Sequence, residues 1–102
     1  MIFLGTIANA GSDVKNNANT AVPFTIPAGA RSLWLQPAAA THMAAVSATN
    51  TGFAPAATDM IQLGAANSIQ EIKLPGNMDH LGFTLAIRKT DVGAGTTKVF
   101  WS

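Results

Sequence analysis

The side chains that could do acid-base or metal chemistry are few and scattered along the chain. The carboxylates and imidazoles are Asp13, Asp59, Glu71, Asp79, Asp91, His42 and His80. Asp79 and His80 are adjacent, and neighbouring residues of a strand point to opposite faces, so no ligand pair with a reinforcing spacing is present. The chain has no cysteine, which excludes thiolate ligands, thiol nucleophiles and disulfides. The sequence predicts no metal and no cofactor.

Sequence motifs of known catalytic sites are also missing. Ser32, Ser47 and His42 supply the residue types of a catalytic triad, but no Gly-x-Ser-x-Gly elbow surrounds either serine. The glycine-rich run 93–98 precedes a predicted strand and lacks the Gly-Lys-Ser/Thr ending of a phosphate loop, so it predicts a hairpin turn. Two carboxylates about 5 to 10 Å apart would suit a glycosidase, and the sequence leaves that alternative open. We expect no enzymatic activity.

Neither nucleic acid nor a membrane is an expected partner. The six basic residues are spread along the chain and are balanced by five acids, so they form no basic stripe. No apolar run approaches the ~20 residues of a membrane span. The start, Met1-Ile-Phe-Leu, has no basic residue and its apolar run ends before Asn9, so we predict a first strand and a protein used without export.

The aromatic side chains are the more informative candidates. Four of them fall on predicted turns or on strand faces opposite the clearest core residues: Trp34, Phe53, Phe100 and Trp101. One interpretation is core packing, because two layers can cover both faces of a sheet. The others are a protein interface, in which buried aromatics supply much of the binding energy, and a platform on which a tryptophan stacks against a sugar.

These candidates depend on a predicted hairpin over residues 22–36. Apolar residues at every second position predict a strand over 22–26. Pro27 is expected at the second position of a turn, and Gly29 at the fourth position with a positive φ. The second strand, 32–36, carries two leucines on one face and Trp34 on the other.

The same alternation predicts short strands along most of the chain. Residues 58–63 are assigned to a strand, although a short helix over 54–63 is the alternative, and the asparagine-rich residues 9–20 are predicted to form a long loop. The other predicted strands are 2–8, 42–48, 68–74, 81–88 and 96–101. The prediction is a single all-β domain over 1–102, a β-sandwich or jelly-roll-like barrel of seven or eight antiparallel strands.

Composition indicates that the domain associates with other proteins. Charged residues make up 11% of the chain, against about 25% in an ordinary soluble domain. With a net charge of +1 and 48% apolar residues, little electrostatic repulsion keeps copies apart. We expect the chain to belong to an assembly, and the alternative is an isolated neutral β-domain.

The order of turns and strands from residue 22 onward resembles small virion proteins of tailed bacteriophages. The stretches that carry the resemblance are Ile26-Pro-Ala-Gly-Ala30, Thr58-Asp-Met-Ile-Gln-Leu-Gly-Ala65, Leu74-Pro-Gly76 and a Gly/Thr-rich turn into the last strand. The resemblance implies a β-rich capsid decoration (cement) protein, or a small component of a tail or fibre.

The leading hypothesis is a non-enzymatic structural protein of a phage virion. We expect it to be made in the host cytoplasm, to form a homotrimer, and to bridge and stabilise neighbouring subunits of the major capsid protein on the capsid surface. The alternative hypothesis is a carbohydrate-binding module of a phage tail or fibre. In that case Trp34 or Trp101 would stack on a sugar ring while nearby polar side chains hold its hydroxyls.

Overall fold

A computed structural model describes residues 1–11, 13–47, 55–76, 82–91 and 93–102. Within these residues, eight strands form two four-stranded antiparallel sheets. The first sheet contains, in spatial order, β1 (Ile2–Asn9), β8 (Gly95–Trp101), β3 (Ser32–Pro37) and β6 (Gln70–Lys73). The second contains β2 (Lys15–Asn16), β7 (Thr84–Lys89), β4 (His42–Ser47) and β5 (Ile61–Gln62).

The order of the strands is that of a jelly roll. β1 pairs with β8, β2 with β7, β3 with β6 and β4 with β5, and these pairs alternate between the two sheets. Contacts of β3 with β8 and of β4 with β7 complete the sheets. This is one antiparallel ribbon wrapped into two layers. The predicted all-β sandwich is confirmed.

The core lies between the two sheets, where side chains from every second strand position meet. Leu33 and Leu35 of β3 share one hydrophobic cluster with Leu85 and Ile87 of β7, and all four are completely buried. Val99 of β8 joins the same cluster. Leu85 and Ile87 belong to the strand predicted over 81–88, which the structure gives as Thr84–Lys89; residue 81 lies outside the described residues.

Residues 22–26 do not form the predicted strand. Pro23 has no N–H to donate to a ladder. The backbone N–H of Phe24 donates to the carbonyl of Asn17 at 2.9 Å, and the carbonyl of Phe24 accepts from Nδ2 of the same asparagine at 2.9 Å. The backbone of this segment therefore forms its hydrogen bonds with the loop residue Asn17 and not with a neighbouring strand.

The turn after this segment also differs from the prediction. The N–H of Ala30 donates to the carbonyl of Pro27 at 3.1 Å, which makes Pro27 the first residue of the turn and not the second. Gly29 does not have a positive φ; within the described residues, Gly11 and Asn67 do, each at 65°. The side chain of Ala30 is buried in the core.

The ambiguous stretch 58–63 is divided between two structures. A single 3-10 turn spans Ala57–Asp59, and the two-residue strand β5 follows it. The strand prediction is therefore correct only for the second half of this stretch. The predicted loop 9–20 contains the two-residue strand β2. No helix among the described residues is long and apolar enough to cross a membrane.

Candidate protein interface

Three aromatic side chains lie in consecutive cross-strand positions on the outer face of the first sheet. Phe3 of β1 is opposite Phe100 of β8, and Phe100 is opposite Trp34 of β3. The ring centroids of Phe3 and Phe100 are 5.4 Å apart, and the ring planes meet at 64°, an edge-to-face arrangement. These three residues are called the aromatic row.

The alternation of the strands places the aromatic row on the outside. Leu33 and Leu35 point into the core, so Trp34 between them must point away from it. Phe100 follows the buried Val99 and points outward for the same reason. Phe3 is 55% exposed, while Trp34 and Phe100 are half-buried.

Polar groups surround the aromatic row. The indole Nε1–H of Trp34 donates to the Ser102 hydroxyl at 2.9 Å, which fixes the orientation of the ring. On β6, Glu71 lies opposite Trp34 and accepts a hydrogen bond from the hydroxyl of Ser32. Lys98 lies two residues before Phe100, on the same face of β8, and is exposed. An apolar centre with a polar rim is the usual composition of a protein interface.

A second apolar surface continues from the aromatic row around the edge of β1. Its large side chains are more than half exposed: Met1 at 61%, Ile2 and Phe3 at 55%, and Val22 at 77%. These four residues are called the β1 edge patch. Beside them, a groove of about 450 Å³ runs between β1 and residues 20–24, and its lining contains no charged residue. Phe3 belongs to both surfaces.

The structure brings together two of the four predicted interface residues. Trp34 and Phe100 are neighbours in the aromatic row. Trp101 faces the other way, is only partly exposed, and packs against the core. Phe53 lies outside the described residues. Phe3 was not predicted, because a bulge between Phe3 and Gly5 interrupts the alternation of β1 that would have shown its direction.

The titratable residues do not assemble a catalytic or metal-binding group in the described part of the chain. Asp13 and Asp59 are exposed at separate places. His42 is completely buried, and its Nδ1 lies 3.0 Å from the carbonyl oxygen of Ala39. Among the described residues, no three His, Asp or Glu side chains are close enough to hold a metal ion. Asp79 and His80 fall outside the described residues.

Among the described residues, one charged side chain is buried, and it has a structural role. Lys89 at the end of β7 is 3% exposed, and its Nζ donates to the carbonyls of Gly93 at 2.6 Å and Ala94 at 3.2 Å. The same Nζ lies 2.9 Å from Oδ1 of Asp91. An ammonium group has three N–H donors, and these three acceptors can use all of them. Lys89 therefore stabilises the turn before β8.

We expect this ion pair to make stability depend on pH in the acidic range. The hydrogen bond from Lys89 lowers the pKa of Asp91 below its ordinary value of 3.8. A carboxylate with a lowered pKa stabilises the fold above the pKa of the unfolded chain, and loses that contribution as the pH falls through the folded value. Asp91→Asn should therefore be less stable than the wild type at pH 7, and the difference should shrink as the pH falls below 3.8 and through the lowered pKa of the folded state.

Urea denaturation of both proteins between pH 7 and pH 2 measures this difference. Asp91 is 48% exposed, so added salt should reduce the difference at pH 7. A difference that stays constant from pH 7 to pH 2 would contradict the assigned role of the carboxylate.

Comparison of the chain with protein families, with characterised proteins and with solved structures finds no match. The function must therefore be inferred from the fold and from the surfaces described above. They define a small jelly-roll domain with an aromatic row on one sheet face and exposed apolar side chains at one sheet edge.

Proposed function

We propose that this chain is a non-enzymatic structural subunit of a tailed-phage virion, a decoration protein that bridges neighbouring subunits of the major capsid protein. It is made in the host cytoplasm, associates with copies of itself, and acts on the capsid surface. It stabilises the capsid by burying apolar and small polar side chains across the joints between subunits. Jelly rolls are common among viral capsid domains and among lectins, so the fold is compatible with this function without proving it.

The observation that carries the proposal is the aromatic row on the outer sheet face. In a monomer, aromatic side chains on the outer face of a two-layer sandwich leave apolar area in contact with water. Tryptophan and phenylalanine are enriched at protein interfaces, and tryptophan is among the residues whose truncation costs most binding energy. The small number of charged residues, 11% of the chain, supports the same proposal because it lowers the cost of removing water from the surface.

A carbohydrate-binding module remains the second candidate, on the observation that Trp34 points outward beside polar neighbours such as Gln36 and Lys98. Two features favour a protein partner instead. Phe3 and Phe100 meet at 64° and so present no common flat surface to a chain of sugar rings. Trp101, the other tryptophan considered for stacking, packs against the core.

Replacing Trp34 tests the proposed function. We expect the wild-type chain to co-sediment with heads of a tailed phage that lack decoration protein, and Trp34→Ala to bind them at least about ten times more weakly. Trp34→Phe should retain most of the binding, because it keeps an aromatic ring at the centre of the row. Circular dichroism of each variant checks that the β-fold is intact.

The matched control is Ile61→Ala, which removes an apolar side chain that is 46% exposed on β5 of the second sheet. Its binding should equal that of the wild type. Equal binding by Trp34→Ala and wild type would overturn the proposal for this surface. Titration with mono- and oligosaccharides separates the second candidate, because only a carbohydrate module would shift tryptophan fluorescence, and would lose that shift in Trp34→Ala.

A further inference from the structure

The four edge strands of the two sheets differ in how well they are protected from pairing with another chain. β2 and β5 are only two residues long, and β6 has four residues that include Glu71 and Lys73. Short strands and charges are the usual devices that prevent association at a sheet edge. β1 is eight residues long and contains neither a charged residue nor a proline. A bulge between Phe3 and Gly5 is its one protective feature, so β1 is the least protected edge of the described structure.

Only one half of this edge is covered. The hydroxyl of Thr20 accepts from the N–H of Ala8 at 3.4 Å and donates to the carbonyl of Thr6 at 3.2 Å. Thr20 therefore covers the C-terminal half of β1. The other half, residues 2–4, has β8 as its only strand neighbour among the described residues, and it lies beside the β1 edge patch.

We infer that the β1 edge patch docks a second copy of this chain around a two-fold axis, which makes a dimer and not the homotrimer expected from the sequence. This inference rests on the proposed function and names one partner within the assembly. The two copies would bring their Met1, Ile2, Phe3 and Val22 side chains together and fill the neighbouring grooves. Trp34 lies on β3, which β8 separates from this edge, so it stays available for a different partner.

The size of the patch meets what a specific contact requires. A biological interface buries at least about 1,000 Å² in total, which is about 500 Å² from each copy. Four large apolar side chains, each more than half exposed, supply most of that area before the groove is counted. The groove of about 450 Å³ gives side chains of the second copy a concave surface to enter.

The charge of the patch favours a second copy over a charged partner. In a two-fold contact, each residue lies near residues of an identical patch, so any charge on the patch would lie near a like charge. None of its four side chains is charged, and the groove lining contains no charged residue either, so the ammonium group at the amino terminus of Met1 is the one ionic group of the patch. A partner that recognised this surface by charged side chains would find none there.

The experiment is a measurement of mass against concentration by analytical ultracentrifugation. We expect the 10.5 kDa chain to sediment as a dimer, and Val22→Glu to raise the dimer dissociation constant at least about ten-fold, because two carboxylates would meet at the axis. Val22 is 77% exposed, so its replacement should leave the fold intact. Ile69→Glu, which adds the same charge outside the patch, should remain dimeric.

A mixing experiment tests the two-fold geometry directly. Val22→Glu and Val22→Lys should each be monomeric, and an equal mixture should recover dimers because opposite charges then meet. A wild-type monomer, a wild-type trimer, a dimer of Val22→Glu alone, or no recovery on mixing would each overturn the inference. Co-sedimentation with phage heads is scored separately, so loss of the dimer and loss of capsid binding are distinguishable.

Discussion

Replacing Asn17 by Ala is expected to lower the free energy of unfolding by about 2 to 4 kcal/mol. The Asn17 side chain is buried, and both the NH₂ group and the oxygen of its amide form hydrogen bonds. Nδ2–H donates to the carbonyl of Phe24, and Oδ1 accepts from the N–H of Leu85, both at 2.9 Å. Alanine removes both hydrogen bonds and takes these partners from the buried N–H of Leu85 and from the partly buried carbonyl of Phe24.

The size of the effect follows from where those backbone groups lie. Leu85 is completely buried near the start of the core strand β7, so water cannot readily replace the lost acceptor. An unsatisfied buried donor costs about 1 to 3 kcal/mol, and the partly buried carbonyl of Phe24 adds a smaller cost. For a domain of this size, the melting temperature should fall by at least about 10 °C.

Thermal and urea unfolding measure the loss, and hydrogen exchange at the Leu85 amide shows whether the local contact is the cause. Asn19→Ala is the matched control, because Asn19 belongs to the same loop but is exposed and accepts one hydrogen bond, from the Asn16 N–H at 2.6 Å. Its cost should be below about 1 kcal/mol. Equal losses in the two variants would show that the Asn17 amide does not join the loop to β7 in this way.

The role of Asn17 also explains why one strand prediction failed. Alternation correctly located β3, β7 and β8, because their apolar residues repeat with the period of a strand and their neighbours in the sheet are themselves strands. Residues 22–26 show the same alternation, yet their backbone is paired with Asn17. A single side-chain amide several residues away decides the outcome, and nothing in the local pattern reveals it.

The candidate interface could be predicted in part. The sequence correctly predicts that the side chains of Trp34 and Phe100 point away from the core, since each residue follows directly after a buried residue of a regular strand. The alternation along β8 also places Trp101 and Phe100 on opposite faces of the sheet. Only the position of β8 between β1 and β3 shows that the face of Trp101 is the inner one. Phe3 could not be predicted because the bulge after it removes the regular alternation.

The second large effect is expected for Gly5→Ala, which should cost about 1 to 3 kcal/mol of stability. A Cβ at position 5 would lie 2.5 Å from Cδ1 and 3.1 Å from Cγ of Phe24. The clash includes Cγ, which lies on the axis about which the ring rotates. Rotation of the ring therefore cannot relieve the clash, and the whole side chain must move. Gly5 does not have a positive φ, so the cost comes from lack of space and not from backbone strain.

Gly29→Ala is the control for the general effect of replacing a glycine. No atom lies within 4 Å of a Cβ placed there, so this variant should be as stable as the wild type, or more stable by up to about 1 kcal/mol. Urea denaturation of both variants measures the difference. A cost of Gly5→Ala no larger than that of Gly29→Ala would contradict the close packing of Phe24 on β1.

A double-mutant cycle with Phe24→Ala identifies the cause. If the ring of Phe24 is what Gly5 accommodates, the cost of Gly5→Ala should nearly vanish in the Phe24→Ala background, a coupling of more than about 1 kcal/mol. A cost that persists in that background would place the obstruction elsewhere. Phe24 also lines the groove beside the β1 edge patch, so a ring displaced by Gly5→Ala would change the groove. Gly5→Ala should therefore weaken the dimer as well as the fold, whereas Asn19→Ala should affect neither to a comparable extent.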